Sequence, residues 1–128
     1  MKSLKFAALF LFFISAPALF AGEIKPYTQP EFDKLAAAGK PILLDFRADW
    51  CATCAAQAPL IRDLMTQSRF KDVTTFTINV DTETSLLKAY NVSMQSTLIV
   101  LTGKQEHGRS VGDTTRDAIE HLLNTGVQ

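Results

Sequence analysis

Two cysteines, Cys51 and Cys54, are the residues of this sequence best suited to covalent chemistry. They are the only cysteines in the 128-residue chain, and they follow Trp50 and a largely apolar run from Ile42 to Phe46. A strand that ends in Trp-Cys-x-x-Cys and then opens a helix is the arrangement of a redox dithiol. The free N–H groups and the positive dipole end at a helix start stabilise a thiolate. We therefore expect Cys51 to be exposed and ionised, and Cys54, one turn into the helix, to attack any mixed disulfide that Cys51 forms.

A structural disulfide and half of a zinc site are the two other uses of such a pair. Sulfurs separated by only two residues close a very small loop, which restricts little conformational entropy of the unfolded chain. Zinc needs four ligands, and the remaining candidates, His107 and His121, are distant and show no ligand spacing. We therefore favour redox chemistry and expect neither a metal nor a cofactor.

The beginning of the chain has the pattern of a secretory signal peptide. Two lysines precede an apolar block from Phe6 to Ile14, and small residues follow it. The block is short for a transmembrane span of roughly 20 residues. We predict cleavage after Ala21, with Ala18 as the alternative, so that residues 1–21 are a signal peptide and residues 22–128 form one domain.

The overall charge gives little indication of a nucleic-acid or membrane-surface partner, because 13 basic residues balance 13 acidic ones. The length suits a single domain with one modest core. Export would place the dithiol in an oxidising compartment, and we predict the bacterial periplasm.

Strand and helix patterns alternate along the predicted domain. The run Pro41–Arg47 is apolar on both faces, as expected of a central strand covered on both sides. Parallel strands joined by helices, closed by an antiparallel hairpin and a last helix, form a layered α/β sandwich. The predicted strands are Glu23–Thr28, Pro41–Arg47, Val73–Val80, Thr97–Leu101 and Glu106–Val111, and the predicted helices run from Thr28 to Gly39, from Cys51 to about Ser68, from Thr82 to Tyr90 and from Thr114 onwards.

Asp45 interrupts the apolar strand that leads to the cysteines. A carboxylate in such a strand is costly to bury unless it is paired or protonated. The alternative is that its side chain reaches solvent at the end of the sheet.

These residues resemble the thioredoxin superfamily over nearly the whole predicted domain. The segment from Leu43 to Cys54 follows the pattern apolar-apolar-Asp-Phe-x-Ala-acid-Trp-Cys-x-x-Cys, and Pro59 stands where the family has a helix-kinking proline. The lead-in from Lys40 to Asp45 is most similar to the periplasmic, thioredoxin-like C-terminal domain of the thiol:disulfide interchange protein DsbD. The resemblance implies a three-layer α/β/α sandwich with a central mixed sheet.

The resemblance also implies an activity, that of a thiol–disulfide oxidoreductase. Cys51 would attack a substrate disulfide and Cys54 would resolve the mixed disulfide, while Asp45 matches the family's buried acid, a proton acceptor for the inner cysteine. Trp50 would shield the dithiol and offer an apolar docking surface, unless it simply packs in the core. The similarity to DsbD favours a reductase or electron relay over an oxidase. The expected partners of this monomer are protein disulfides and a redox protein such as a membrane thiol:disulfide interchange protein.

Four positions depart from the family pattern: Ser96, Thr77, Arg47 and Ala55, the last standing where a lysine often follows the second cysteine. Ser96 replaces the cis-proline that faces the dithiol, inside the segment Gln95-Ser96-Thr97 that the resemblance assigns to substrate binding. A cis bond before a non-proline residue costs roughly 2.5–4 kcal/mol, so we expect a trans Gln95–Ser96 bond. Thr77 replaces a lysine near the buried acid, which predicts that this acid lacks a cationic partner. Arg47 replaces an aromatic residue, and we expect it to be solvated, with an orientation towards the dithiol as the alternative.

Two other functions are compatible with the same residues. The cysteines could hold copper(I), with Met94 as a third ligand in the space left by the missing proline. The changes at Ser96 and Thr77 are also compatible with an adaptor that binds partners but turns over slowly.

Overall fold

A computed structural model describes residues 21–127 of the chain, so the predicted signal peptide lies outside the described residues except for Ala21. No helix within this described range is long and apolar enough to cross a membrane. The strands are β1 (Glu23–Pro26), β2 (Pro41–Arg47), β3 (Thr74–Asn79), β4 (Thr97–Thr102) and β5 (Gln105–Val111), and the helices are α1 (Gln29–Ala37), α2 (Ala52–Met65), α3 (Thr84–Ala89) and α4 (Arg116–Asn124), with a 3₁₀ turn at Ser68–Phe70.

The strands form one mixed sheet in the order β1-β3-β2-β4-β5. Strands β1, β3 and β2 are parallel, whereas β4 is antiparallel to β2 and β5 is antiparallel to β4. β2 is therefore the central strand, as its apolar sequence predicted, and the closing hairpin is confirmed. Thr97 pairs with Phe46 on one side and with Val111 on the other. The segment before β4 and the end of β5 thus meet at the edge of the sheet where β2 ends.

Two hydrophobic clusters cover the two faces of the sheet and confirm the three-layer sandwich. Successive side chains of a strand point to opposite faces. On β2, Ile42 and Leu44 pack with α1 and α3, while Leu43 packs with α2 and α4. By the same alternation, Asp45 lies on the α2 side of the sheet.

The end of α2 differs from the sequence prediction, because the helix stops at Met65 and not near Ser68. Thr66 caps it: its hydroxyl donates to the carbonyl of Asp63 at 2.6 Å, and its N–H turns to the same carbonyl. The 3₁₀ turn that follows buries Phe70. The predicted boundaries of the other elements differ from the observed ones by a few residues at most.

Candidate active site at the start of helix α2

The end of β2 and the start of α2 position the two cysteines. Cys51 is the N-cap of α2, and its sulfur accepts a hydrogen bond of 3.0 Å from the backbone N–H of Cys54. The two residues form a disulfide, with their Cα atoms 5.3 Å apart. The positive end of the helix is thus directed at the sulfur of Cys51, as the sequence predicted.

The expectation that Cys51 is exposed is wrong for the disulfide form. Cys51 is 4% exposed and Cys54 is 2% exposed. They pack in a small cluster with Ala48, against which Val80 also lies. Cys51 is therefore largely covered in the disulfide form. Access of an incoming thiolate to Cys51 is therefore one control on its reactivity.

Trp50 is 63% exposed, so the alternative that it packs in the core is excluded. Its indole Nε1 donates to Oδ2 of Asp81 at 2.9 Å, and the backbone N–H of Asp81 is in turn held by the side chain of Asn79. Met94 and Val111, both 53% exposed, belong to the segments that meet at the same edge of the sheet. Exposed apolar side chains therefore lie at the end of the sheet where β2 leads into the dithiol.

The segment Gln95-Ser96-Thr97 forms a tight, buried turn without the family's proline. No described peptide bond is cis, which confirms the trans bond expected before Ser96, and Ser96 adopts a φ of 60°. The Thr97 hydroxyl donates to the carbonyl of Met94 at 2.7 Å, and the Ser96 carbonyl accepts from the N–H of Gly112 at 3.0 Å. The turn is thus held by hydrogen bonds within itself and to the end of β5.

Gln57, which the sequence reasoning missed, also holds this turn. It is 1% exposed. Its Nε2 donates to the carbonyl oxygens of Asp113 at 2.9 Å and of Ser96 at 3.3 Å. The sequence feature that could have identified Gln57 is its position: it is a polar residue three positions after Cys54, on the face of α2 that otherwise carries apolar residues such as Ile61.

Asp45 is buried, with 5% of its surface exposed, so the alternative that it escapes to solvent is excluded. Burial raises the pKa of its carboxyl from 3.8 to about 6, and the positive charge of Arg47 lowers it by a smaller amount. Among residues 21–127 no ion pair joins Asp45 to Arg47, so the expectation that Asp45 lacks a paired cation is not overturned, although the charge of Arg47 acts on it. Arg47 itself is half-buried. Arg47 lies two residues further along the same face of β2.

A cavity of about 300 Å³ is lined by Asp45, Arg47, Thr77 and Arg62, together with apolar side chains. It is large enough to admit water to the carboxyl of Asp45. A proton on Asp45 can therefore exchange with solvent from the side of the sheet that α2 covers.

Residues 21–127 contain no preformed metal site, because no three of their His, Cys, Asp or Glu side chains are placed to hold an ion. What the site offers is a disulfide at a helix start, a buried acid whose pKa is raised to about 6, and exposed apolar side chains at the same end of the sheet. These groups are suited to thiol–disulfide exchange with proton transfer.

Comparison with known proteins agrees with this chemistry. The sequence model of the thioredoxin family matches residues 23–125. The chain is 31% identical to the thioredoxin of Chlamydia pneumoniae, over 79% of this chain and 96% of that protein. It is 30% identical to Thioredoxin H2-1 of Oryza sativa subsp. japonica, over 67% of this chain but only 60% of that protein. The crystal structure of Trxlp from Edwardsiella tarda aligns with a TM-score of 0.76 and 37% identity, over 79% of this chain and 98% of that one. The chain therefore belongs to the thioredoxin family, as a thiol–disulfide oxidoreductase with the pair Cys51–Cys54.

Proposed function

We propose that this protein is an exported reductase or electron relay, in which Cys51 attacks and Cys54 resolves. The thiolate of Cys51 attacks one sulfur of a substrate disulfide, and the other substrate sulfur leaves as a thiolate that takes up a proton. Cys54 then attacks Cys51 in the mixed disulfide, which releases the second substrate thiol and forms the Cys51–Cys54 disulfide. A partner dithiol returns two electrons and two protons. The observation that carries this order is the position of Cys51 at the N-cap of α2.

Asp45 is proposed as the base for the resolving step. With a pKa of about 6, its carboxyl is mostly ionised at neutral pH yet close enough to neutrality to hold a proton briefly. It would take the proton of Cys54 as that sulfur attacks, and the cavity lined by Asp45 and Arg47 would pass the proton to solvent.

The direction of electron flow is proposed from the dithiol and the relatives. The intervening Ala52 and Thr53 carry no charge that would favour the thiolate strongly and make the pair a strong oxidant. The relatives described above are thioredoxins. The similarity of the segment from Lys40 to Asp45 to the DsbD C-terminal domain also favours a reductase or relay, with a membrane thiol:disulfide interchange protein as electron donor.

The substrate surface is proposed to be the exposed apolar side chains at this end of the sheet together with the turn Gln95-Ser96-Thr97. Trp50, which precedes Cys51, and Met94 and Val111, in segments at the same end of the sheet, expose apolar area. An extended segment of a protein substrate could cover this area and bring its disulfide to Cys51.

Export to the periplasm is proposed because residues 1–21 have the pattern of a secretory signal peptide. Cleavage after Ala21 would make Gly22 the first residue, and the backbone nitrogen of Gly22 donates to the carbonyl of Met65 at 2.8 Å. N-terminal sequencing of protein from a periplasmic extract tests this assignment. A mature chain that begins at Gly22 supports it, and an intact chain in the cytoplasm contradicts it.

The experiment that tests the direction is the reduction potential of Cys51–Cys54 against glutathione, together with insulin reduction. A potential near about −270 mV with insulin turnover supports a reductase, and one near about −120 mV overturns it in favour of an oxidase. Stoichiometric copper in reduced protein that fails to reduce insulin would instead support a copper chaperone. A Cys54→Ser variant that traps no partner disulfides in periplasmic extract would support an adaptor.

A further inference from the structure

Gln57 is a buried amide on the inner face of α2, three residues after Cys54. Side chains three residues apart on a helix lie on the same face, with Cβ atoms about 5–6 Å apart. Gln57 is 1% exposed and Cys54 is 2% exposed. The two side chains therefore start from the same face of α2, and both are buried.

The orientation of this amide is determined by its partners. The carbonyl oxygens of Ser96 and Asp113, which its nitrogen approaches, can only accept hydrogen bonds. The NH₂ group must face them, so the oxygen and nitrogen of the amide cannot be exchanged. Oε1 is therefore directed away from both carbonyls.

Oε1 of Gln57 is a buried acceptor that no residue within 21–127 supplies with a donor in the disulfide form. Leaving such an atom unpaired is costly, and in native proteins it needs an explanation. A disulfide sulfur carries no proton and cannot donate. After reduction, however, Cys54, which lies one helical turn before Gln57 in α2, carries an S–H group.

We propose that Gln57 is a positioning residue with two tasks, in which its NH₂ group holds the Ser96 turn against α2 and its Oε1 accepts a hydrogen bond from the Cys54 thiol after reduction. The reduction itself is the family's reaction. A partner dithiol supplies two electrons and two protons, the Cys51–Cys54 bond breaks, and the two partner sulfurs form a disulfide. Gln57 then stabilises the proton that remains on Cys54, so it favours the reduced state.

The reduction potential of Gln57→Met tests this role, because methionine has a similar length and shape but no amide. The equilibrium constant for reduction by glutathione is expected to fall about three- to tenfold, and tenfold corresponds to about 30 mV. Thr75→Val is the matched control. It removes another buried oxygen without a described partner, on β3 where Thr75 pairs with Leu43, away from the dithiol. Its potential is expected to equal that of the wild type.

An infrared measurement on the wild-type protein tests the same hydrogen bond without any variant. With ¹³C-labelled glutamine, the reduced-minus-oxidised difference spectrum is expected to show one side-chain carbonyl band that shifts to lower frequency on reduction. If the side-chain carbonyl band does not shift, or if wild type and Gln57→Met have equal reduction potentials, the proposal is overturned. A buried water that donates to Oε1 in both the oxidised and the reduced protein would also overturn it. A wild type that glutathione cannot reduce at all would refute the redox activity itself and not the role of Gln57.

Discussion

Replacing Asp45 by asparagine is expected to stabilise the oxidised protein and at the same time to slow its turnover. Burial raises the pKa of Asp45 from 3.8 to about 6, so the folded protein holds this proton more tightly than the unfolded chain does. The contribution of the group to stability is therefore fully present below pH 3.8 and is lost as the pH rises through about 6. Asparagine has nearly the same shape and no charge, and it avoids this loss.

The size of the gain follows from the two pKa values. At pH 7, the difference between 3.8 and about 6 corresponds to about 3 kcal/mol in the free energy of unfolding. At pH 4 most of the carboxyl is protonated in the folded protein, and the loss is below about 1 kcal/mol. Asp45→Asn should therefore gain about 3 kcal/mol at pH 7 but less than about 1 kcal/mol at pH 4.

Urea unfolding of the oxidised protein at the two pH values measures this effect, and insulin reduction measures turnover. Asp49→Asn, which changes an exposed carboxylate near the dithiol, is the control and should shift the free energy of unfolding by about 0.5 kcal/mol or less. Turnover of Asp45→Asn should fall about a hundredfold if the carboxyl is the base. A gain that is the same at both pH values, or a loss at pH 7, would refute the reasoning about burial. Unchanged turnover would refute the role as a base.

Three further predictions concern the surroundings of the dithiol. Arg47→Gln should raise the pKa of Asp45 further, because the arginine charge now lowers it; a carboxyl titration by NMR that shows no upward shift would contradict this. Asp81→Ala removes the acceptor of the Trp50 indole. The Asp81→Ala variant should have a severalfold higher KM for protein disulfides. Its free energy of unfolding should change by less than about 1 kcal/mol, because the Trp50–Asp81 pair is exposed. A large stability loss with unchanged KM would show a purely structural role. Gly112→Ala should cost about 1 kcal/mol in urea unfolding despite the open space around it, because its φ is 78°; unchanged stability would mean that the turn relaxes.

Much of the fold could be predicted because its signals are local. The apolar run of β2 identified the central strand, and the spacing of Cys51 and Cys54 before a helical pattern placed the dithiol at a helix start. The trans bond before Ser96 followed from the cost of a cis bond at a residue that is not proline. In each case the decisive physics lies within a few neighbouring residues.

The parts that could not be predicted depend on residues far apart in the chain. Gln57 holds the carbonyls of Ser96 and Asp113, which lie 39 and 56 positions away. Cys51 is buried in a cluster with Ala48 and Cys54, and Val80 from after β3 packs against this cluster. Propensity and periodicity say which face of an element is apolar, but they do not say which distant backbone atom will meet it.

The most direct test of the central claim compares the two single-cysteine variants. Cys54→Ser keeps the outer sulfur and Cys51→Ser keeps the inner one. At pH 7, the variant that keeps Cys51 should react with iodoacetamide at least about tenfold faster than the other variant, and faster than it does when unfolded in urea. If Cys51 reacts no faster than Cys54, or no faster than in the unfolded chain, the helix start does not activate it and the proposed order of attack is contradicted.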